Sequence, residues 1–197
     1  MHALTRRAFE ILLVSAVLGG HTAHVLADPP GKRNSSSHPT VGESAPDFEL
    51  EAVDGKKVKL STLTGKGPVV LVVLRGYPGY QCPVCTQQVS QLLGQAKKFK
   101  DAKATVLMIY PGPATNLKAH GAEFVRGKTL PDNFYLLLDP DYTFTNAYQL
   151  RWKAPAETAY PSTFVIDTKR TVKFVKVSKS HGGRAATDEV LQAIDKQ

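Results

Sequence analysis

The sequence predicts an α/β fold in which a central mixed β-sheet is flanked by helices, with a β-hairpin at its N-terminal end. Short apolar segments with the alternation or continuity of strands recur along the chain, and segments with helical spacing of apolar residues lie between several of them. With 197 residues, 42% of them hydrophobic, the chain is long enough for one domain with a substantial core.

The first 27 residues differ in character from the rest and predict a cleavable signal peptide. A short basic region is followed by an apolar run at residues 11–18, and residues 25–27 carry the small or modest side chains that a signal peptidase reads. The run is much shorter than the roughly 20 residues of a membrane-spanning helix, so no permanent span is predicted. Residues 5–9 resemble a twin-arginine signal, and an ordinary secretory signal is the alternative. We therefore expect an exported protein, periplasmic or otherwise extracytoplasmic.

Residues 28–40 are rich in proline, serine, glycine and charge, and they predict a flexible linker. The redox domain described below is expected to cover residues 41–197. The net charge of +8 arises from scattered lysines, with no basic stripe interleaved with aromatic residues, so no nucleic-acid partner is expected.

The domain is predicted to begin with a hairpin and a central strand. Apolar and acidic residues alternate over residues 48–52, Asp54-Gly55 marks a turn, and apolar and basic residues alternate over residues 57–60. A continuous, largely β-branched run at residues 69–74 is typical of a strand that is buried on both faces. This strand is expected at the centre of the sheet.

A helix is predicted to begin near Pro83, after a loop over residues 75–81. Its apolar residues are spaced by three or four positions: Cys85, Val89, Leu92, Ala96 and Phe99. The spacing places Cys82 in the first turn and Cys85 on the inward-facing stripe. We therefore expect one exposed, attacking thiol and one shielded partner.

The second half of the chain predicts the remaining strands and helices. Strand patterns occupy residues 104–110, 134–138, 163–167 and 171–177. Helical patterns occupy residues 117–125, residues 143–150 and a C-terminal segment with Thr187 as its cap.

Both cysteines of the chain lie in one motif, Cys82-Pro83-Val84-Cys85. A structural disulfide gains more from closing a long loop, and a zinc site normally has four ligands, whereas a second cysteine pair is absent here. The unpaired N–H groups and the dipole at a helix start lower a thiol pKa from about 8.5 to roughly 3.5–7.5. The motif therefore predicts a redox dithiol without a metal or other cofactor. Metal carriage by both thiols and His181 is the least favoured hypothesis.

The domain carries a series of motifs in a characteristic order around the dithiol. They are Ala45-Pro46-Asp47-Phe48-Glu49-Leu50, Asp54-Gly55, Leu60-Ser61-Thr62-Leu63, Gly65-Lys66, Asp139-Pro140-Asp141, Pro161-Ser162-Thr163-Phe164-Val165-Ile166-Asp167, Gly183-Arg184 and Asp188-Glu189-Val190-Leu191. Together they resemble the alkyl hydroperoxide reductase/thiol-specific antioxidant (AhpC/TSA) family, which includes peroxiredoxins and exported disulfide oxidoreductases. The resemblance implies a thioredoxin-like fold and a thiol-dependent oxidoreductase.

The peroxiredoxin branch of this resemblance implies that Cys85 attacks a hydroperoxide. Pro78, Cys82 and Cys85 occupy the motif Pro-x-x-x-Thr/Ser-x-x-Cys, with cysteine in the Thr/Ser position. Cys82 then resolves the sulfenic acid, an external thiol reductant restores the dithiol, and Arg184 resembles an active-site arginine of that branch. Pro161 stands where the other peroxiredoxin arginine falls, which removes a cation that would lower the thiol pKa.

The thioredoxin branch implies instead that Cys82 attacks a disulfide of an exported protein and that Cys85 resolves the mixed disulfide. Residues 160–163 resemble the cis-proline loop that faces the dithiol, which implies supporting roles for Pro161 and Thr163. Gln81 stands where thioredoxins usually carry tryptophan. In either branch, the reductant is expected to be a thioredoxin-like protein or a membrane thiol relay. The two branches differ in which sulfur attacks first, and the sequence leaves that order open.

Overall fold

A two-stranded hairpin precedes the central sheet in the computed structural model, which describes residues 37–196. Its antiparallel strands are β1 (Glu49–Glu51) and β2 (Lys57–Lys59). Acidic residues of β1 face basic residues of β2, as in the pair of Glu49 with Lys59, which favours this register. The predicted hairpin is confirmed, and a short helix, α1 (Leu60–Thr64), follows it directly.

The central sheet has five strands in the order β5-β4-β3-β6-β7. The central strand β3 pairs in parallel with β4, and β4 pairs in parallel with β5. On the other side of β3, β6 pairs antiparallel with β3, and β7 pairs antiparallel with β6. The strands are β3 (Val69–Val73), β4 (Thr105–Gly112), β5 (Phe134–Pro140), β6 (Ser162–Ile166) and β7 (Val172–Val177). The predicted mixed sheet is confirmed, and the buried run after Pro68 is its central strand.

Five further helices accompany the sheet within the described residues. They are α2 (Pro83–Gly94), α3 (Ala96–Asp101), α4 (Leu117–Phe124), α5 (Thr143–Ala147) and α6 (Thr187–Asp195).

Two helix boundaries differ from the sequence prediction. The predicted continuous helix through Phe99 is interrupted at Gln95, with φ −111° and ψ 15°, directly after Gly94. Glycine costs about 1 kcal/mol relative to alanine inside a helix, so an interruption next to it is favoured. Thr187 is not the cap of α6 but its first residue, and the Glu189 carboxylate accepts the N–H of the capping residue Ala186 at 2.8 Å.

The core lies on both faces of the sheet because successive strand residues point to opposite sides. On one face, Val70 and Val72 pack with residues of α2, α4 and α6, and both cysteines belong to this cluster. On the other face, Leu71 packs with residues of the hairpin and α5. Since α2 follows β3, its first turn lies at the carboxyl end of the central strand, where open α/β folds place reactive groups.

The predicted signal peptide (residues 1–27) lies outside the described residues, as does most of the predicted linker, so these boundaries stay predictions. Within residues 37–196, no helix combines the length and apolarity needed to cross a membrane.

Candidate active site

Cys82 is the N-cap residue of α2, and its sulfur accepts a backbone hydrogen bond from the first turn of that helix. Its backbone is extended, with φ −79° and ψ 111°, and its Sγ accepts the backbone N–H of Cys85 at 3.3 Å. Pro83 occupies the first helical position, where a missing N–H costs no hydrogen bond. The sequence therefore builds a helix start that holds both sulfurs within the first turn.

Both thiols are free and buried, with 2% of Cys82 and none of Cys85 exposed. The expectation of one exposed thiol is therefore wrong. Cys82 turns its sulfur back toward the helix because Sγ caps the N–H of Cys85, and this rotamer places the sulfur in the core cluster with Val89.

The loop before Cys82 is fixed to β4 and α4 by Gln81. Gln81 accepts the hydroxyl of Tyr110 at 2.7 Å and donates from Nε2 to the carbonyl of His120 at 3.0 Å. Tyr77, in the same loop, stacks on the His120 ring with centroids 3.6 Å apart. Burial raises the pKa of Tyr110, so its phenol stays neutral and acts as a donor.

Gly76 allows this loop to leave β3 close to the end of β4. Its φ is +67°, and a Cβ at this position would overlap the carbonyl oxygen of Pro111. The position therefore requires glycine for both its conformation and its space.

Arg184 brings a positive charge to the sulfurs from the loop before α6. Its Nη2 lies 3.4 Å from Sγ of Cys85, its Nη1 donates to Oε1 of Gln88 at 2.6 Å, and its Nε donates to the carbonyl of His181 at 3.0 Å. Three separate contacts thus fix the guanidinium against the dithiol.

A second arginine, Arg75, lies at the carboxyl end of β3 with 3% of its side chain exposed. Its Nε donates to Oε2 of Glu157 at 2.6 Å, its Nη1 to the hydroxyl of Tyr80 at 2.6 Å, and its Nη2 to the carbonyl of Ala156 at 2.7 Å. Oε1 of Glu157 lies 2.8 Å from Nε2 of His181. Burial alone would raise the pKa of Glu157, but the hydrogen bonds from Arg75 and His181 outweigh this effect and lower it.

The environment separates the pKa values of the two thiols. The hydrogen bond with the Cys85 thiol lowers the pKa of Cys82 to about 6, assisted by the Cys85 N–H and the charges of Arg184 and Arg75 against the cost of burial. Burial raises the pKa of Cys85, and its hydrogen bond with Cys82 adds to the increase. These opposite shifts favour ionisation of Cys82 over ionisation of Cys85.

The other predicted site residues lie close to this centre in sequence or on neighbouring strands. Pro78 is half-buried in the loop four residues before Cys82. Pro161 is buried, and its carbonyl accepts the N–H of Ser178 at 2.8 Å. Thr163 is 2% exposed within β6, opposite Val72 of β3. The supporting roles of Pro78, Pro161 and Thr163 stay predictions.

The resemblance of residues 160–163 to a cis-proline loop is wrong in its backbone geometry, since no peptide bond within residues 37–196 is cis. The Tyr160 N–H donates to the carbonyl of Leu150 at 2.9 Å, and its ring stacks on Trp152 with centroids 4.9 Å apart. These contacts fix the segment before Pro161 against residues 150–152.

Three polar residues of the site were not predicted from the sequence: Arg75, Glu157 and Gln88. Arg75 had a sequence signal, because a charged residue directly after a buried central strand lies at the edge where α/β folds place function. Glu157 and Gln88 had no comparable signal, since their partners lie 82 and 96 positions away in the chain. Among the described residues, no group of three or more His, Cys, Asp or Glu side chains is arranged to hold a metal ion.

Comparison with known proteins identifies the family of this chain. A family model described as the AhpC/TSA family matches residues 41–175. The chain belongs to the AhpC/TSA family. The resemblance found in the sequence motifs is thereby confirmed, and with it the thioredoxin-like fold.

Relatives within the family come from two groups. The chain is 32% identical to chloroplastic peroxiredoxin Q of Triticum aestivum over 163 residues, which cover 78% of this chain and 69% of that protein. It is 31% identical to the thiol-disulfide oxidoreductase ResA of Bacillus subtilis over 169 residues, 85% of this chain and 80% of ResA. The chain spans only 57% of the peroxiredoxin Q of Oryza sativa subsp. japonica.

A solved structure of a peroxidoxin has a fold similar to that of this chain. The peroxidoxin BcpB of Mycobacterium tuberculosis superposes with a TM-score of 0.64 at 28% identity, and the match covers 81% of this AhpC/TSA chain and 98% of BcpB.

Proposed function

We propose that this protein is a thiol peroxidase that reduces hydroperoxides through the Cys82–Cys85 dithiol. The observation that carries the proposal is the contact of the Arg184 guanidinium with Sγ of Cys85 at the start of α2, beside Cys82, whose thiol pKa is lowered to about 6. A thiolate is the nucleophile in peroxide reduction, and fixed positive charge stabilises it. Membership of a family that includes peroxiredoxin Q supports the substrate class.

The first step is attack by the Cys82 thiolate on one oxygen of the hydroperoxide. An S–O bond forms, the O–O bond breaks, and the departing alkoxide or hydroxide takes a proton from water. The sulfur is oxidised to sulfenic acid. We assign this step to Cys82, whose thiol pKa is lowered, rather than to Cys85, whose thiol pKa is raised by burial.

The second step forms the internal disulfide. Sγ of Cys85, three residues along the same turn, attacks the Cys82 sulfenic acid, and one water molecule leaves. An external dithiol of the thioredoxin type then reduces the disulfide by thiol–disulfide exchange. The complete cycle consumes one hydroperoxide and one reduced external dithiol. An organic hydroperoxide yields one alcohol and one water, hydrogen peroxide yields two waters, and the external dithiol becomes a disulfide.

The decisive experiment is a stopped-flow reaction of the reduced protein with hydrogen peroxide and with an organic hydroperoxide. Wild type is expected to react far faster than a free thiol. Cys85→Ser is expected to complete one turnover and stop at sulfenic acid, whereas Cys82→Ser loses the fast reaction. A wild-type rate equal to that of a free thiol would exclude the peroxidase, and a fast Cys82→Ser variant would reassign the attack to Cys85.

Thiol–disulfide exchange with a protein substrate is the second candidate function. It is favoured by the match with ResA over 85% of this chain and by the low pKa of the N-terminal cysteine of the motif. The two functions share the nucleophile and differ in the electrophile. Reduction of a protein disulfide such as that of insulin, without peroxide consumption, would replace the first proposal by this one.

We also propose that the protein acts outside the cytoplasm, on the basis of the signal-like pattern of residues 1–27. Cell fractionation and N-terminal sequencing of the mature protein test this proposal. A mature chain that begins at Asp28 in an extracytoplasmic fraction supports it, whereas an intact N-terminus in the cytoplasm contradicts it.

A further inference from the structure

Two loops meet beside the dithiol through Glu157 and His181. Glu157 has 10% of its side chain exposed, and Arg75 donates to both of its oxygens, from Nε to Oε2 at 2.6 Å and from Nη2 to Oε1 at 3.2 Å. Oε1 also lies 2.8 Å from Nε2 of His181. Because a carboxylate offers only acceptors, Nε2 of His181 carries the hydrogen of this bond. Glu157 therefore joins the end of β3 to the loop after β7.

His181 in turn fixes Arg184. Its carbonyl accepts Nε–H of Arg184 at 3.0 Å, and the same guanidinium reaches Sγ of Cys85 with Nη2 at 3.4 Å. The imidazole of His181 contacts Glu157. Because the side chain of His181 is held in this way, the position of its backbone carbonyl is restricted as well. A continuous series of contacts thus runs from Arg75 through Glu157, His181 and Arg184 to Cys85.

We propose that Glu157 is a positioning residue for the dithiol, which holds His181 and thereby sets the Arg184 guanidinium against Cys85. Glu157 does not touch either sulfur in this scheme and acts only through His181 and Arg184. The effect on activity rests on the proposed function, whereas the effect on the thiolate is independent of the substrate.

The charge of Glu157 makes the proposal distinguishable from a direct electrostatic effect. A carboxylate near the dithiol repels a thiolate, so neutralisation of Glu157 would by itself lower the thiol pKa. Loss of positioning moves Arg184 away from the sulfurs and raises the thiol pKa. The two effects have opposite signs in Glu157→Gln.

The experiment is a pH titration of the thiolate absorbance of the reduced full-length protein, combined with its rate of alkylation. In Glu157→Gln we expect the midpoint to rise by about 0.5–1 pH unit. His181→Ala is expected to raise it in the same direction while the Arg75–Glu157 pair stays intact, and His181→Gln, which keeps a donor, is expected to recover most of the wild-type value. Ser180→Ala in the same loop is the matched control and leaves the midpoint unchanged.

The double variant Glu157→Gln/His181→Ala completes the test. If Glu157 acts through His181, the double variant shifts the midpoint no further than the larger single change, because the two residues form one coupled unit. Three outcomes would overturn the proposal. They are an additive shift in the double variant, a lowered midpoint in Glu157→Gln, and a His181→Ala midpoint equal to that of Ser180→Ala.

Two controls keep the outcomes separate. Glu157→Gln leaves the buried Arg75 without its carboxylate and can destabilise the fold, in which case the comparison of His181→Ala with Ser180→Ala decides. If the wild type fails to reduce hydroperoxide, the proposed function is wrong, but the titration still decides whether Glu157 positions Arg184.

Discussion

Arg184 and Cys85 lie 99 positions apart in the chain, yet a guanidinium nitrogen of Arg184 is 3.4 Å from Sγ of Cys85. The contact joins the loop before α6 to the first turn of α2. It supplies positive charge to the dithiol, whereas position 161 holds a proline and supplies none. Arg75, at the end of β3, adds its charge to the same site.

Replacement of Arg184 is expected to slow peroxide reduction. Arg184→Met removes the charge beside both sulfurs, and we expect a decrease of about ten- to a hundredfold in the second-order rate constant at pH 7. Arg184→Lys keeps a charge but cannot contact Gln88, His181 and Cys85 together, so an intermediate rate is expected. Stopped-flow kinetics measures these rates, with Lys100→Met as the control for loss of one surface charge. Equal rates for Arg184→Met and wild type would contradict the prediction.

The dithiol is expected to give the reduced protein a stability maximum in mildly alkaline solution. The native pKa of Cys82, about 6, lies below the unfolded value of about 8.5, so this residue adds stability above pH 8.5 that is lost as the pH falls through 6. The native pKa of Cys85 is raised, so its unfolded form ionises first and stability is lost above about pH 8.5.

Urea unfolding under reducing conditions tests this dependence. Relative to Cys82→Ser, wild type is expected to gain stability from pH 6 to 8. Relative to Cys85→Ser, it is expected to lose stability from pH 8.5 to 10. Parallel pH curves for wild type and both variants would show that the thiol pKa values are the same in the folded and unfolded states.

Gly76 is expected to tolerate no side chain. Gly76→Ala places a Cβ against the Pro111 carbonyl at a φ of +67°, and we expect a loss of about 2–5 kcal/mol in unfolding free energy. Gly79→Ala is the matched control, because Gly79 also has a positive φ, +117°, but no neighbouring atom near the added Cβ. Backbone strain alone is expected to cost about 1–3 kcal/mol there. A Gly79→Ala variant as destabilised as Gly76→Ala would show that the close approach to Pro111 has no effect.

Asp139 is expected to stabilise the start of α5. Its fully buried carboxylate accepts the N–H of Phe144 at 2.7 Å, the N–H of Thr145 at 3.0 Å and the hydroxyl of Thr145. Asp139→Asn replaces one acceptor oxygen by an NH2 donor, and we expect a loss of about 1–3 kcal/mol at pH 7. The exposed Asp132→Asn is the control and is expected to leave stability unchanged.

The effect of Asp139 is also expected to depend on pH. Burial raises its pKa, so the folded state binds the proton more tightly than the unfolded state does. The stability of wild type relative to Asp139→Asn is therefore expected to increase as the pH falls from 7 toward 4. A difference that decreases over this range in urea titrations would show that the folded-state pKa is lowered instead.

The fold was largely predictable from local patterns. The uninterrupted apolar run in β3 identified the central strand, and the alternation around Asp54-Gly55 identified the hairpin. The break at Gln95 was missed because Ala96 and Phe99 continue the helical spacing across it. Periodicity reports which residues are buried, and two consecutive helices against one sheet face can preserve the same period.

The site was predictable only in part. Cys82, Cys85 and Arg184, which the structure brings into contact, were predicted because the dithiol and the Gly183-Arg184 motif are visible locally. The burial of Cys82 was missed, since it depends on the rotamer in which the sulfur caps its own helix. Glu157 was missed because its role depends on a partner that precedes it by 82 positions, and no local pattern encodes such a contact.

The assembly of the site from distant segments has a consequence for biosynthesis. The dithiol, Glu157 and Arg184 belong to parts of the chain that leave the ribosome at different times, and Arg184 follows Cys85 by 99 positions. A nascent chain that has not yet reached Arg184 holds both cysteines without the guanidinium whose charge lowers the pKa of Cys82. We therefore expect nascent chains that lack Arg184 to be less reactive toward oxidants than chains in which the contact with Cys85 has formed.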